Sequence, residues 1–194
     1  MRAVRIGITG PIGCGKSTIA RWMGERPGVV VIDADQAARA ARAEPEVAGR
    51  IQERFGTTDP RELARIVFAD DAALRDLEAI VHPAVRPRIV QAIAEADADR
   101  AEAVVIEAIK LVEGGLAELC DEVWLVTCAP DEQRARLIER GSSPDDAARR
   151  VAAQGDIAER LAPAATRLID TSGALEATRA QVDVALTEVL AIAR

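Results

Sequence analysis

The 194-residue chain reads as an α/β domain built on a parallel five-stranded sheet, and three observations predict this. Short apolar, β-branched runs recur between longer stretches whose apolar residues stand three and four apart. The first run leads straight into a glycine-rich loop and then a helical pattern, the strand-loop-helix order of a ligand-binding unit. The alternation of buried strands with helices calls for right-handed crossovers and helical layers on both faces of the sheet.

Taken in chain order, the strand runs are Val4 to Thr9, Val29 to Ile32, Val104 to Ile106, Val123 to Val126 and, more weakly, Leu168 to Ile169. Too many residues separate the second run from the third for one crossover helix. The segments "QAARAARA", "EVAGRIQERF", "RELARIVF", "DAALRDLEAIV" and "AVRPRIVQAIAEA" each carry helical spacing, which predicts a helical insertion at about 36–100. After the fourth strand, "PDEQRARLIERGSSPDDAARRVAAQ" reads as two arginine-bearing helices around a Gly-Ser-Ser-Pro turn, a lid at about 131–154. The last stretch, "ALEATRAQVDVALTEVLAIA", is an amphipathic helix expected to close the back face of the sheet. No repeat or low-complexity linker interrupts this order, so residues 1–194 are expected to form a single domain carrying an insertion and a lid.

Composition narrows the function classes. With 49% hydrophobic residues but only 2% aromatic, the core must be aliphatic, and the interleaved aromatic and basic surface that grips single-stranded nucleic acid cannot be assembled. A net charge of −7 disfavours a nucleic-acid or anionic-membrane binder, while leaving room for a local cationic pocket. Cys14, Cys120 and Cys128 lack metal-ligand spacing and read as free thiols of a reducing compartment. The opening residues carry no long apolar core and no run approaches about 18 apolar residues, so a cytoplasmic protein is expected. Lysine occurs only at Lys16 and Lys110 among 25 basic residues, and asparagine is absent.

"GPIGCGKS", Gly10 to Ser17, completes the pattern G-x-x-x-x-G-K-[ST] between a strand and a helix. Such glycines let successive backbone N–H groups converge on phosphate oxygens, helped by the positive end of the following helix. Pro11, Ile12, Gly13, Cys14, Gly15, Lys16, Ser17 and Thr18 are therefore expected to hold the phosphates of a nucleoside triphosphate. Lys16 would bridge its β- and γ-phosphates, and the Ser17 hydroxyl would help hold Mg²⁺. Burial of Lys16 against other protein groups would overturn the phosphotransfer reading. A GTPase needs an Asn-Lys-x-Asp clamp, which a chain without Asn cannot supply; "DTSG", Asp170 to Gly173, lies too late to be a switch, and large motor ATPases need more chain. The class left is a small kinase with a three-layer P-loop kinase fold.

Four further groups carry candidate chemistry. In "VVVIDADQAAR" the apolar run delivers Asp33 and Asp35 to the carboxyl end of a strand expected next to the phosphate loop, where doubly wound folds place ligands. A carboxylate there can orient an attacking hydroxyl, accept its proton or hold Mg²⁺ through water; it can equally cap the next helix, the partial role expected of Asp35. His82, the one histidine, either contacts ligand or caps a helix end, with Pro83 suited to the first turn of the helix that follows. Arg86 and Arg88 can meet phosphate bidentately or remain surface residues. Arg136 and Arg140 share a helix face, and Arg140, beside the Gly-Ser turn, is the preferred arginine for neutralising the transferring phosphoryl group.

In this order, "GITGPIGCGKSTIA", "VIDAD", "VFADDAALRDLEAIVHPAVR", "LCDEVWLVTCAPDEQRARLIER", "DDAARRVAAQ" and "LIDTSG" resemble the dephospho-coenzyme A kinases along nearly the whole chain. The resemblance implies transfer of the ATP γ-phosphoryl group to the ribose 3′-hydroxyl of dephospho-coenzyme A. Asp33 would be the base or hydroxyl-orienting group, Lys16 and Arg140 the charge stabilisers, and the inserted helices, with Asp35, His82 and Arg86, the acceptor lobe. A monomer or weak oligomer is expected. The chain departs from the family pattern in Pro11 for Gly, Cys14 for Ser, Ile109 for Pro, Lys110 for an apolar residue and Thr171 for Asn, and in a shortened stretch between Phe55 and Arg61. A kinase acting on a nucleoside monophosphate or a small hydroxylated metabolite, and an ATP sensor without productive transfer, are the alternative readings.

Overall fold

The computed structural model describes residues 2–192. The chain divides into two compact units, one formed by the chain up to Ile32 and from Glu95 onward, the other by Asp33–Ala94.

The first unit holds the sheet. Its strands are β1 (Val4–Thr9), β2 (Val29–Asp33), β3 (Ala103–Glu107), β4 (Glu122–Thr127) and β5 (Arg167–Asp170). They form a parallel sheet in the order β2-β3-β1-β4-β5. The three central strands are the most apolar, and β3 is buried at every position, as a strand covered on both faces requires. The outer strands β2 and β5 leave Val30, Val31 and Leu168 partly exposed. On one face, α1 (Lys16–Gly24) and α9 (Leu175–Ile192) pack Ile19, Trp22, Met23, Val182, Leu186 and Val189 against Ile6, Ile8, Trp124, Val126 and Ile169. The terminal helix thus closes one face of the sheet. Beyond β4 come α6 (Pro130–Glu139), α7 (Pro144–Gln154) and α8 (Ile157–Leu161). Ser143 caps α7 by accepting from Asp146 N, so the Gly-Ser-Ser-Pro segment is the turn expected.

Strand order corrects one expectation. The strand that ends in Asp33 is not the neighbour of the strand that ends in the phosphate loop, because β3 lies between β2 and β1. A pattern of apolar runs reports the strands but not their lateral order, which the crossovers decide.

The second unit contains α2 (Ala34–Arg42), α3 (Pro45–Phe55), α4 (Pro60–Ala69) and most of α5 (Asp71–Ala98). Asp59 caps α4 by accepting from Arg61 N and Glu62 N, and Gly56, with φ of 74°, ends α3 in the left-handed conformation. Val47, Ile51, Leu63, Val67, Leu77, Val81, Val85 and Ile89 form its buried faces. The helix expected to begin at Pro83 does not exist as a separate element, since α5 runs through both Pro83 and Pro87. Each proline removes one N–H and crowds the carbonyl four residues back. Here both prolines and Ala79 are exposed, so the freed carbonyls face water, while Val81, Val85, Ile89 and Ile93 hold the opposite face at four-residue spacing.

Candidate active site at the phosphate loop

The loop leaves β1 through Gly10, whose φ is +140°; a Cβ there would lie 2.1 Å from Val126 O, so only glycine lets β1 exit against the backbone of β4. Gly15 (φ 91°) then caps α1 in the left-handed conformation, and Lys16 is the first residue of the helix. The Thr18 and Ile19 amides close the first turn by donating to Gly15 O, and the positive end of the helix so formed is where an anion is favoured.

Lys16 is 7% exposed, and its Nζ donates to Gly10 O at 2.8 Å and Pro11 O at 2.9 Å. It is buried, contrary to the exposure the phosphotransfer reading expects. The acceptors, however, are carbonyls of the phosphate loop itself, so the ammonium stays at the anion site. A phosphate oxygen is an anionic acceptor and makes the stronger, charge-assisted bond there.

Ser17 Oγ donates to Glu107 Oε1 at 2.5 Å, and Glu107, the last residue of β3, is 8% exposed. A hydroxyl and a carboxylate at the phosphate end of the loop form a hard-oxygen pair. That pair suits Mg²⁺, which binds through one or two protein oxygens together with water and substrate phosphate. Sequence reasoning missed Glu107, although "VVIE" is the same strand-end acid signal that singled out Asp33.

Two glutamines without any sequence signal hold the loop from α6 and α7. Gln154 Oε1 accepts from Ile12 N at 2.8 Å, and the buried Gln133 donates through Nε2 to Ile12 O at 2.6 Å. Arg136 donates to Thr171 Oγ1 at 2.8 Å and Thr171 O at 2.6 Å, and pairs with Glu132. The Thr171 hydroxyl in turn lies 2.9 Å from Cys14 O. Asp170 is held below the usual carboxylate range by the Ser172 hydroxyl and amide, with Arg136 adding to the effect. A small cleft beside the loop is lined by Gly15, Thr18, Trp22, Arg136, Arg140 and Thr171, so Arg136 and Arg140 line one space.

The expectation of free thiols is corrected at two of three cysteines. Cys14 and Cys128 are disulfide-bonded, with Cα atoms 5.2 Å apart, while Cys120 is free. Their positions 114 residues apart carry no pairing signal; the adjacency of β1 and β4 brings them together.

The remaining site candidates belong to the second unit. Asp33, not Asp35, is the helix cap: its Oδ1 accepts from Gln36 N at 2.7 Å, and its Oδ2 lies 3.6 Å from Arg39. Asp35 falls in the first turn of α2. His82 and Arg86 lie four apart on α5 and are half-buried, whereas Arg88 pairs with Glu44.

A five-stranded parallel sheet in this order, with a complete phosphate loop joining β1 to α1, defines a P-loop kinase. Within that class the sequence model of the dephospho-CoA kinase family matches residues 4–176. The chain belongs to that family. It is 42% identical to the dephospho-CoA kinase of Symbiobacterium thermophilum over 93% of this chain and 79% of that protein. It is also 42% identical to that of Deinococcus radiodurans, over 95% and 91%. Among solved structures, TT1252 from Thermus thermophilus superposes with a TM-score of 0.80 at 33% identity, covering 97% of this chain and 98% of that one.

Proposed function

We propose that the chain transfers the γ-phosphoryl group of ATP to the ribose 3′-hydroxyl of dephospho-coenzyme A, giving coenzyme A and ADP. The observation that carries this reading is the family match along residues 4–176 over a chain whose phosphate loop is complete.

The amides from Gly13 to Ser17 and the positive end of α1 bind the β- and γ-phosphates, while Ile12 N donates to Gln154 and Thr18 N to Gly15 O, and Lys16 exchanges the Gly10 and Pro11 carbonyls for phosphate oxygens. Ser17 and Glu107 would hold Mg²⁺, which supplies neutralisation of the phosphate oxygens when bound. Asp33 orients the acceptor hydroxyl and takes its proton as the oxygen attacks phosphorus in line with the departing ADP oxygen. Arg140, with Arg136, neutralises charge that grows on the transferring group. Asp35, His82 and Arg86 bind the acceptor from the helical insertion, and residues at about 131–154 act as the lid. We place the protein in the cytoplasm as a monomer or weak oligomer; no described helix is long and apolar enough to cross a membrane.

The test is an acceptor panel run with Mg-ATP on the purified protein. ADP formation should depend on dephospho-coenzyme A and respond little to nucleoside monophosphates or small alcohols. Greater stimulation by one of those acceptors would overturn the substrate assignment, and ATP binding with no acceptor-dependent turnover would overturn transfer itself.

A further inference from the structure

Two cysteine side chains that phosphotransfer does not use are joined beside the phosphate loop. Cys14 is wholly buried between Gly13 and Gly15, and its partner Cys128 immediately follows β4. The Cα separation of 5.2 Å lies in the range that a disulfide spans without backbone movement. Cys128 also stands two residues before Pro130, which opens α6, the helix that brings Gln133 and Arg136 to the loop. The bond therefore ties together the phosphate loop, the end of a central strand and the root of the first lid helix.

We propose that Cys14 and Cys128 form a reversible redox site whose disulfide clamps the phosphate loop onto β4 and the start of α6, so that the thiol-disulfide state of the chain sets its grip on the triphosphate. This rests on the loop being the ATP site, as argued above.

Access decides how the bond is made and opened. Cys14 is fully enclosed and Cys128 is half-buried, so a small reagent meets Cys128 first. On oxidation the Cys128 thiolate attacks a low-molecular-weight disulfide, RSSR, forming a mixed disulfide and releasing one RSH after protonation. Cys14 then attacks the Cys128 sulfur and releases the second. The balance is two protein thiols and RSSR giving one protein disulfide and two RSH, and reduction runs the same steps backward. Cys120 does not compete, because burial pushes its thiol up to about 12 and keeps it protonated. Disulfides found in reducing compartments are in general transient and redox-sensing, which fits a reversible bond here.

Opening the bond has a mechanical consequence. The two sulfurs must separate from bonding to van der Waals distance, more than an ångström, inside a packed cluster that includes Cys14, Ile8, Ile19 and Val126. The loop backbone moves with them, and Cys14 O is the acceptor through which Thr171 braces that backbone. Anchor groups displaced on this scale weaken binding, and we expect an ATP dissociation constant about 3- to 30-fold higher in the reduced protein.

The full chain would be equilibrated in oxidised or reduced glutathione, its thiols counted after denaturation, and its ATP dissociation constant and Tm measured without acceptor. One thiol is expected in the oxidised protein and three in the reduced, with Tm lower by about 5 to 15 °C on reduction. The affinity change should reverse on reoxidation. Cys128→Ser should match the reduced protein in both buffers, and Cys120→Ser should keep the full response. Three thiols in the oxidising buffer, or equal ATP affinity in the two states of the unmutated chain, would overturn the proposal. Because the readout needs no acceptor, failure to phosphorylate dephospho-coenzyme A would defeat the substrate assignment and leave this result standing.

Discussion

Three residues divide the work proposed for the site, and each has its own measurable consequence. Lys16 carries the charge that the loop's amides lack, so Lys16→Ala should lower kcat/KM by about 100-fold or more, as loss of a preorganised charge stabiliser does. Asp33→Asn removes the proton acceptor while keeping an oxygen to cap Gln36 N, and turnover should fall about 10²- to 10⁴-fold with the ATP dissociation constant nearly unchanged. A parallel loss of ATP binding would make Asp33 a structural cap and no more. Glu107→Gln keeps a partner for the Ser17 hydroxyl but removes the negative charge of the hard-oxygen pair, so the Mg²⁺ concentration needed for half-maximal turnover should rise severalfold. An unchanged Mg²⁺ titration would remove Glu107 from that role. Asp33 was singled out because an acid ending an apolar run marks the carboxyl end of a strand. Glu107 carried the same signal, but only its hydrogen bond to Ser17 tied it to the loop.

At the scale of elements, the site depends on helices that reach back to the loop. Gln133→Ala on α6 would strip Ile12 O of its side-chain donor, and about 1 to 3 kcal/mol of stability should be lost, read from the denaturant midpoint. The long helix α5 suggests a change of opposite sign. Pro83 is exposed, and its ring interrupts a helix whose buried face is otherwise continuous, so Pro83→Ala should stabilise by about 1 to 3 kcal/mol. A lower midpoint in that variant would show that the proline's effect on the unfolded chain outweighs the bond it removes. Helical spacing marked both halves of α5, yet the rule that proline opens a helix divided them wrongly. The apolar face at residues 81, 85, 89 and 93 outweighs the local break, and that face counts only once it has something to pack on.

Across the whole molecule, long-range carboxylate contacts pin the sheet. Asp97 at the end of α5 accepts from Ala3 N at 2.7 Å and Arg5 at 3.3 Å, and the Ala3 amide bond followed by Arg5 holds it below its ordinary range. Asp170 is lowered likewise by Ser172. For both, the folded protein binds a proton less readily than the unfolded chain does. Their contribution is therefore complete above the ordinary carboxylate range of about 4 and is lost as pH falls through the lower folded values. Asp97→Asn should flatten the acid limb of the stability profile below about pH 4 and leave its slope near neutrality unchanged, measured by unfolding across pH. A limb as steep as that of the unmutated protein would locate the acid sensitivity elsewhere.

The order of strands and helices, the phosphate loop and the class of chemistry were determined by the sequence alone, because hydrophobic period and a complete glycine-lysine motif are local properties. Five strand runs appear in it at nearly their final bounds, as do the two arginine-bearing helices and the closing helix. Only the tertiary structure decided that β3 lies between β2 and β1, that Gln133 and Gln154 hold Ile12, and that Cys14 meets Cys128. These are contacts between positions far apart in the chain, and no local period encodes them. They follow from which crossover places which strand beside which, and that is settled by burying apolar surface over the whole sheet at once.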